Sequence, residues 1–143
     1  MSLVSDILAT KGRDVLTTDA SATVLEAVTQ MVEANVGSLL VTEAGTLVGI
    51  VTERDYLRRV TLQDRDEKTT PVREIMSAPL VYVTPDTTID ECMGVMTERR
   101  IRHVPVLTDG RDVVGVVSIG DIVKFKSTEQ SVQIRLLTEY ISA

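Results

Sequence analysis

The chain carries Gly49-Ile50-Val51-Thr52-Glu53-Arg54-Asp55 and repeats the same pattern later as Gly115-Val116-Val117-Ser118-Ile119-Gly120-Asp121. The shared form is glycine, two apolar residues, a hydroxyl residue, two variable residues and aspartate. An apolar run that ends in a hydroxyl residue, with an acidic residue three positions later, is typical of a strand followed by a capped helix. We call these segments the first junction (residues 49–55) and the second junction (residues 115–121).

The repetition extends over most of the sequence. An offset of 65 residues, which becomes 66 after one inserted residue near Asp112, aligns ten identities in order. They are Thr23, Glu26, Met31, Glu33, Val41, Gly45, Val48, Gly49, Val51 and Asp55, matched to Thr88, Glu91, Met96, Glu98, Val106, Gly110, Val114, Gly115, Val117 and Asp121. Upstream, residues 4–8 resemble residues 72–76, so each half opens with a short apolar helical turn. The sequence therefore predicts an internal duplication.

Each half has the same predicted order of elements, which is strand, helix, strand, strand, helix. The first helix of each half starts at a capping box, Thr23 with Glu26 and Thr88 with Glu91. Apolar residues then follow at helical spacing. In the first half they are Val24, Ala27, Val28, Met31 and Val32, and in the second Ile89, Cys92, Met93 and Met96. Cys92 is interpreted as a small core residue on this stripe.

Two apolar runs and a second helix complete each half. The predicted strand pairs are residues 38–41 with 47–51 and residues 104–107 with 113–117, the latter joined by a turn over residues 109–111. The second helices begin near Glu53 and Ile119. Residues 64–71 are charged and predict an exposed connector. We expect an α/β chain with a first repeat at 1–63, a connector at 64–71, a second repeat at 72–127 and a C-terminal helix at 128–143.

Composition narrows the classes of function. The chain has 143 residues, 43% hydrophobic and 25% charged, which favours a folded globular protein and no membrane span. A net charge of −6 makes nucleic acid an unlikely partner, and the short cluster at residues 99–102 lacks the aromatic residues of a nucleic-acid surface. One cysteine and a start without a basic leader or long apolar run favour a cytoplasmic setting.

The chain offers little for catalysis or metal binding. Phosphate-loop, nucleophile-elbow and His/Cys metal-ligand motifs are lacking, and the single histidine, His103, has no neighbouring ligands in the sequence. Asp55 and Asp121 occupy equivalent places in a duplicated fold, so they are not expected to act as an acid/base pair. We therefore expect a protein that is not an enzyme and that requires no cofactor.

Two interpretations of the junctions remain open. In the first, Thr52 and Ser118 cap the helices that follow, and each aspartate lies in the first helical turn. In the second, the junctions bind a ligand. Gly49 and Gly115 let it approach the backbone, the hydroxyl and helix N–H groups hold phosphate, and the carboxylate accepts both hydroxyls of a ribose. Recurrence in both halves favours ligand binding.

Taken together, these segments resemble the cystathionine β-synthase (CBS) domain, which occurs as tandem pairs called Bateman modules. The resemblance rests on residues 35–41 with the first junction, and on residues 99–106 with the second junction, preceded by residues 83–86. The chain is similar to a stand-alone CBS-pair protein over nearly its whole length. The resemblance implies two β-α-β-β-α repeats that pack about a pseudo-twofold axis and leave two clefts for adenosine ligands.

The resemblance also implies roles for individual residues. Asp55 and Asp121 would bind ribose hydroxyls, Thr52 and Ser118 would face phosphate or ribose, and Ile50 and Val116 would lie against adenine. Family clefts also draw residues from the opposite repeat. The Thr52 and Asp55 cleft would be completed by Arg102 and His103, with Arg54, and the Ser118 and Asp121 cleft by Gly37 and Ser38. The first cleft has more cations, so we expect it to bind nucleotide more tightly.

The resulting prediction is a regulatory sensor. It would bind AMP, ADP or ATP, form a homodimer and control an unidentified protein through a ligand-dependent conformation. S-adenosylmethionine and NAD are alternative ligands for the same clefts. A ligand-independent adaptor, in which the junctions are only helix caps, is the alternative of a different class.

Overall fold

The computed structural model describes residues 1–78, 80–108 and 111–142, without the side chains of Val132 and of residues 140–142. The turn predicted at residues 109–111 thus lies partly outside the described residues, as do the apolar side chains of Val132, Tyr140 and Ile141. The helices are α1 (Val4–Lys11), α2 (Val24–Ala34), α3 (Glu53–Tyr56), α4 (Ile89–Arg99) and α5 (Ile119–Ser142). The strands are β1 (Thr17–Asp19), β2 (Ser38–Glu43), β3 (Thr46–Thr52), β4 (His103–Leu107) and β5 (Val113–Ser118). The predicted mixed α/β class is confirmed.

The chain forms two compact units that do not follow the order of the repeats. One unit, here the first-repeat unit, is Asp14–Tyr82, and the other, the second-repeat unit, joins Met1–Arg13 to Val83–Ala143. Helix α1 therefore packs with the body of the second repeat. Its counterpart, a 3-10 turn over Val72–Glu74, packs with the body of the first.

In the first-repeat unit, β1 pairs in parallel with β2, and β2 pairs antiparallel with β3. Val24, Ala27 and Met31 of α2 pack with the strand residues Leu39, Val41 and Val51 in one core. The apolar stripe predicted for α2 is thus confirmed in its first two turns. Val32 is the exception. It is 74% exposed and lines a groove beside α3.

The second-repeat unit contains the antiparallel pair β4 and β5. Its expected first strand is reduced to Val83, which forms a single parallel bridge with Val106. Pro85, two residues on, has no N–H group and cannot extend the pairing. Ile89, Cys92 and Met96 of α4 are buried, as predicted, and they pack with Val4, Ile7 and Leu8 of α1 in one core.

Equivalent hydrogen bonds hold the opening segment of each repeat, residues 4–11 and residues 72–77, in its unit. In the second-repeat unit, the Val4 N–H donates to the Thr87 carbonyl oxygen at 2.8 Å. In the first-repeat unit, the Val72 N–H donates to the Ala22 carbonyl oxygen, also at 2.8 Å. The duplication is thus preserved at the level of single backbone bonds.

The predicted connector is more than an exposed link. The Thr70 carbonyl oxygen accepts from the Val24 N–H and the Glu67 carbonyl oxygen accepts from the Leu25 N–H, both at 2.9 Å. These carbonyls satisfy backbone donors that the start of α2 would otherwise leave unpaired. Thr70 is buried accordingly.

Helix α5 continues far beyond the second junction as one helix to Ser142. Ile122 is buried at its start, whereas Ile134, Leu136 and Leu137 are exposed. No helix within the described ranges combines the length and apolar character that crossing a membrane requires.

Candidate functional site

At the first junction, Asp55 is held by a complete capping box. Its Oδ2 accepts from the Thr52 N–H at 3.0 Å and from the Thr52 hydroxyl at 3.1 Å. In return, the Thr52 Oγ1 accepts from the Asp55 N–H at 3.2 Å. The Ser77 hydroxyl donates to Oδ1 at 3.2 Å. Both carboxylate oxygens therefore have donors within the protein, and Asp55 is only 8% exposed.

At the second junction, Asp121 makes the same cap with Ser118. Its Oδ2 accepts from the Ser118 N–H at 2.9 Å, and the Ser118 Oγ accepts from the Asp121 N–H at 3.1 Å. The additional partner is the ammonium group of Lys11, whose Nζ lies 2.6 Å from Oδ2. The same ammonium donates to the Val116 carbonyl oxygen at 2.7 Å.

Two opposing effects act on the pKa of Asp121. Burial raises it, but the hydrogen bonds from Lys11 and Ser118 and the charge of Lys11 outweigh burial, so the pKa lies below its ordinary value. The Asp121 side chain remains 22% exposed, and the described hydrogen bonds that it accepts end on Oδ2. Oδ1 accepts none of these hydrogen bonds, so it is the carboxylate oxygen to which a ligand can donate.

The two junction glycines contact the protein itself. A Cβ atom on Gly49 would lie 2.8 Å from the Ser77 carbonyl oxygen, and one on Gly115 would lie 2.6 Å from Cδ2 of Leu8. The Ser77 N–H also donates to the Ile50 carbonyl oxygen at 2.8 Å. Close approach of the opening segments therefore accounts for both glycines without a ligand.

The structure places the remaining predicted residues beside the junction of their own unit. Ser38 is the register partner of Thr52, and His103 that of Ser118. The Gly37 carbonyl oxygen accepts from the first N–H of α3 at 3.1 Å, and the Arg102 carbonyl oxygen accepts from the first N–H of α5 at 2.9 Å. Arg54 lies within the first turn of α3.

A groove between α1 and α5 opens onto the second junction. It has a volume of about 870 Å³ and lies within the second-repeat unit. Its charged and aromatic lining combines two ammonium groups, three carboxylates and one ring, from Lys11, Lys124, Asp6, Asp121, Glu129 and Phe125. Small-molecule sites have volumes of roughly 300 to 1,000 Å³. The groove is therefore large enough for a nucleotide.

Cys92 is a core residue, as predicted. It is fully buried in α4, and burial raises the pKa of its thiol to about 11, so the thiol is protonated at neutral pH. Among the described residues, no group of three or more His, Cys, Asp or Glu side chains is arranged to hold a metal ion.

Sequence reasoning missed Lys11 and Ser77, the two residues that contact the junction aspartates from the opening segments. The repeat alignment did show that residues 4–8 correspond to residues 72–76. It did not show which repeat each opening segment packs against. In the compact units, each opening segment packs with the body of the other repeat. This packing brings Lys11 to Asp121 and Ser77 to Asp55.

Comparison with known proteins identifies the class. The CBS-domain family model matches residues 4–62 and 72–127, so the chain belongs to the CBS-domain family and carries two copies of the domain. The mitochondrial CBS domain-containing protein CBSX3 of Arabidopsis thaliana is 41% identical over 96% of this chain and 71% of its own length.

Solved structures agree with this assignment. A CBS-domain protein from Burkholderia ambifaria is 45% identical, with a TM-score of 0.85 over 90% of this chain and 96% of its own. The CBS domain pair of protein MJ0100 is 28% identical, with a TM-score of 0.78 over 90% of this chain and 98% of its own. That pair was solved in complex with 5′-methylthioadenosine and S-adenosyl-L-methionine.

Proposed function

We propose that this protein is a regulatory module that binds an adenosine nucleotide at its strand-to-helix junctions. The observation that carries the proposal is the recurrence of one arrangement, a hydroxyl residue hydrogen-bonded to an aspartate at the start of a helix, in both units. The adenosine ligands of the MJ0100 domain pair support this class of ligand.

The second junction offers the better chemistry for a nucleotide. Asp121 is accessible from the groove, where its carboxylate would accept ribose hydroxyls, whereas the carboxylate of Asp55 is nearly enclosed. Positive charge is also available there, because the ammonium group of Lys11 contacts Asp121. The geometry within each unit thus supports tighter binding at Asp121, which reverses the order expected from the sequence.

The adaptor alternative also has an observation in its favour. Both aspartates complete helix caps without any ligand, and at Asp55 these bonds, with that from Ser77, engage both carboxylate oxygens. A helix cap alone accounts for the first junction. The two functions therefore differ most clearly at the second junction, where the groove and Lys11 have no role in capping.

Calorimetry on Asp121→Asn and Asp55→Asn tests the proposal with AMP, ADP, ATP, NAD and S-adenosylmethionine. We expect Asp121→Asn to weaken binding of the preferred compound by about tenfold or more, because a carboxylate accepts hydroxyl hydrogen bonds more strongly than an amide. We expect Asp55→Asn to have a smaller effect.

Glu91→Gln is the matched control, since Glu91 closes a capping box with Thr88 on α4 in the same way but does not line the groove. It should leave affinity unchanged. Wild-type protein that binds none of the five compounds would support the adaptor. Loss of binding in Asp55→Asn alone would restore the order expected from the sequence.

We further propose that the regulatory form is a homodimer in the cytoplasm that acts on a partner protein rather than on a substrate. Val32 and Leu57 are 74% and 55% exposed, and they line a groove of about 440 Å³ between α2 and α3. Exposed apolar surface of this kind favours association. Sedimentation should give twice the chain mass, and a monomer at high concentration with and without nucleotide would contradict the dimer.

A further inference from the structure

One residue of an opening segment occupies the same two acceptors at each junction. In the first-repeat unit, Ser77 donates its N–H to the Ile50 carbonyl oxygen and its hydroxyl to Asp55. In the second-repeat unit, Lys11 donates to the Val116 carbonyl oxygen at 2.7 Å and to Asp121 at 2.6 Å. A neutral residue therefore fills one junction, and a cation fills the other.

The ammonium group of Lys11 has donor capacity beyond these contacts. An ammonium carries three N–H groups, and two of them are used by Asp121 and the Val116 carbonyl oxygen. The Lys11 side chain is 38% exposed and lines the groove between α1 and α5. Its third donor is therefore available to an anionic group in that groove.

Lys124 and Phe125 extend this arrangement. Lys124 adds a second ammonium group to the groove wall, and Phe125 adds an aromatic ring. An aromatic ring can pack against a nucleobase, while ammonium groups bind phosphate as point charges. Asp6 and Glu129 also line the groove, so a phosphate is expected on the side of the two lysines, with Asp121 left for the ribose.

We propose that Lys11 determines ligand specificity at Asp121 by selecting an adenosine ligand that carries a phosphate over uncharged adenosine. The proposal deepens the function proposed above and depends on it. A phosphate placed beside Lys11 gains a charge-assisted hydrogen bond. Uncharged adenosine has the same base and ribose but gains no such bond.

The test compares AMP with adenosine, two compounds that share base and ribose and differ in the phosphate. Calorimetry on wild-type protein and Lys11→Met gives the ratio of the two affinities in each. We expect wild-type protein to prefer AMP and Lys11→Met to reduce that preference about tenfold, through weaker AMP binding. Asp121→Asn should weaken both compounds, which locates the binding at this junction.

Lys126→Met is the matched control. Lys126 forms an ion pair of 2.8 Å with Asp90 in the same unit, so its removal changes the net charge equally without touching Asp121. It should keep the wild-type preference. Lys11→Arg should keep it as well, because the charge remains, and Lys11→Gln carries the test if Lys11→Met does not fold.

The outcomes separate this inference from the proposed function. If wild-type protein binds AMP and Lys11→Met has the same preference, the role of Lys11 is overturned while nucleotide binding stands. The role is also overturned if Lys11→Arg loses the preference, or if AMP binding survives in Asp121→Asn and disappears in Asp55→Asn. If wild-type protein binds no adenosine compound, both proposals fail.

Discussion

The two junctions have the same acceptors but different donors. Each has a backbone carbonyl oxygen on the strand and an aspartate in the helix that follows, and in each a single residue of an opening segment contacts both. Ser77 does so with neutral groups at an aspartate that is nearly enclosed, whereas Lys11 does so with a charge at the edge of a groove. The repeats thus share the fold and the junction acceptors, while the donors that reach those acceptors come from non-equivalent positions and distinguish a closed junction from an accessible one.

The junction glycines show the same contrast in packing. Above Gly49 lies the backbone carbonyl of Ser77, which is fixed by its neighbouring hydrogen bonds to Ile50. Above Gly115 lies the end of the Leu8 side chain, which can change rotamer. The same added methyl group should therefore be harder to accommodate in the first-repeat unit.

The largest predicted effect concerns stability. Gly49→Ala should lower the free energy of unfolding by about 3 kcal/mol and Gly115→Ala by about 1 kcal/mol, the two ends of the usual range for an overpacked core. The reason is that backbone must move in the first case and only a side chain in the second. Denaturant unfolding of the two variants measures the difference.

Gly94→Ala provides the control for these variants. Gly94 lies within α4, and a Cβ atom there would have no atom within 4 Å, so alanine should stabilise the helix by about 1 kcal/mol. Equal losses for Gly49→Ala and Gly115→Ala would show that the two junctions are packed alike and would remove this contrast.

Local features were predictable because their causes lie within a few residues. The Thr88 and Glu91 capping box is present in full, with both bonds formed. At Thr23, the side chain accepts from the Glu26 N–H at 3.2 Å, so the helix start is confirmed with this bond. Apolar spacing likewise placed Cys92 in the core correctly.

Long-range features were not predictable from periodicity. The pattern of residues 4–11 indicates a helix with one apolar face, but either repeat body could cover that face. The structure assigns α1 to the second-repeat unit, and only this choice brings Lys11 to Asp121. Sequence reasoning therefore found both aspartates and missed the residue that makes their surroundings unequal.

The smallest predicted effect is the pH dependence of the stability that the ion pair of Lys11 and Asp121 contributes at the second junction. Because Lys11 and Ser118 hold the pKa of Asp121 below its ordinary value of 3.8, the unfolded chain binds this proton more readily than the folded protein. The stability contributed by Asp121 is therefore fully present above the unfolded value and is lost as the pH falls through the lower folded value. Part of that contribution disappears when Lys11 is removed.

Lys11→Met should accordingly lower the free energy of unfolding by about 0.5 kcal/mol near neutral pH, the size expected of a partly exposed ion pair. The difference from wild-type protein should stay constant well above pH 3.8 and shrink as the pH falls through the lowered pKa of Asp121, where the carboxylate becomes protonated. Denaturation midpoints measured across this range check it, with Lys126→Met as the comparison, since its partner Asp90 has a side chain that is 84% exposed. A difference that did not shrink as the pH fell would mean that Lys11 stabilises the unit through the packing of its aliphatic chain, and the two junctions would then differ in shape rather than in charge.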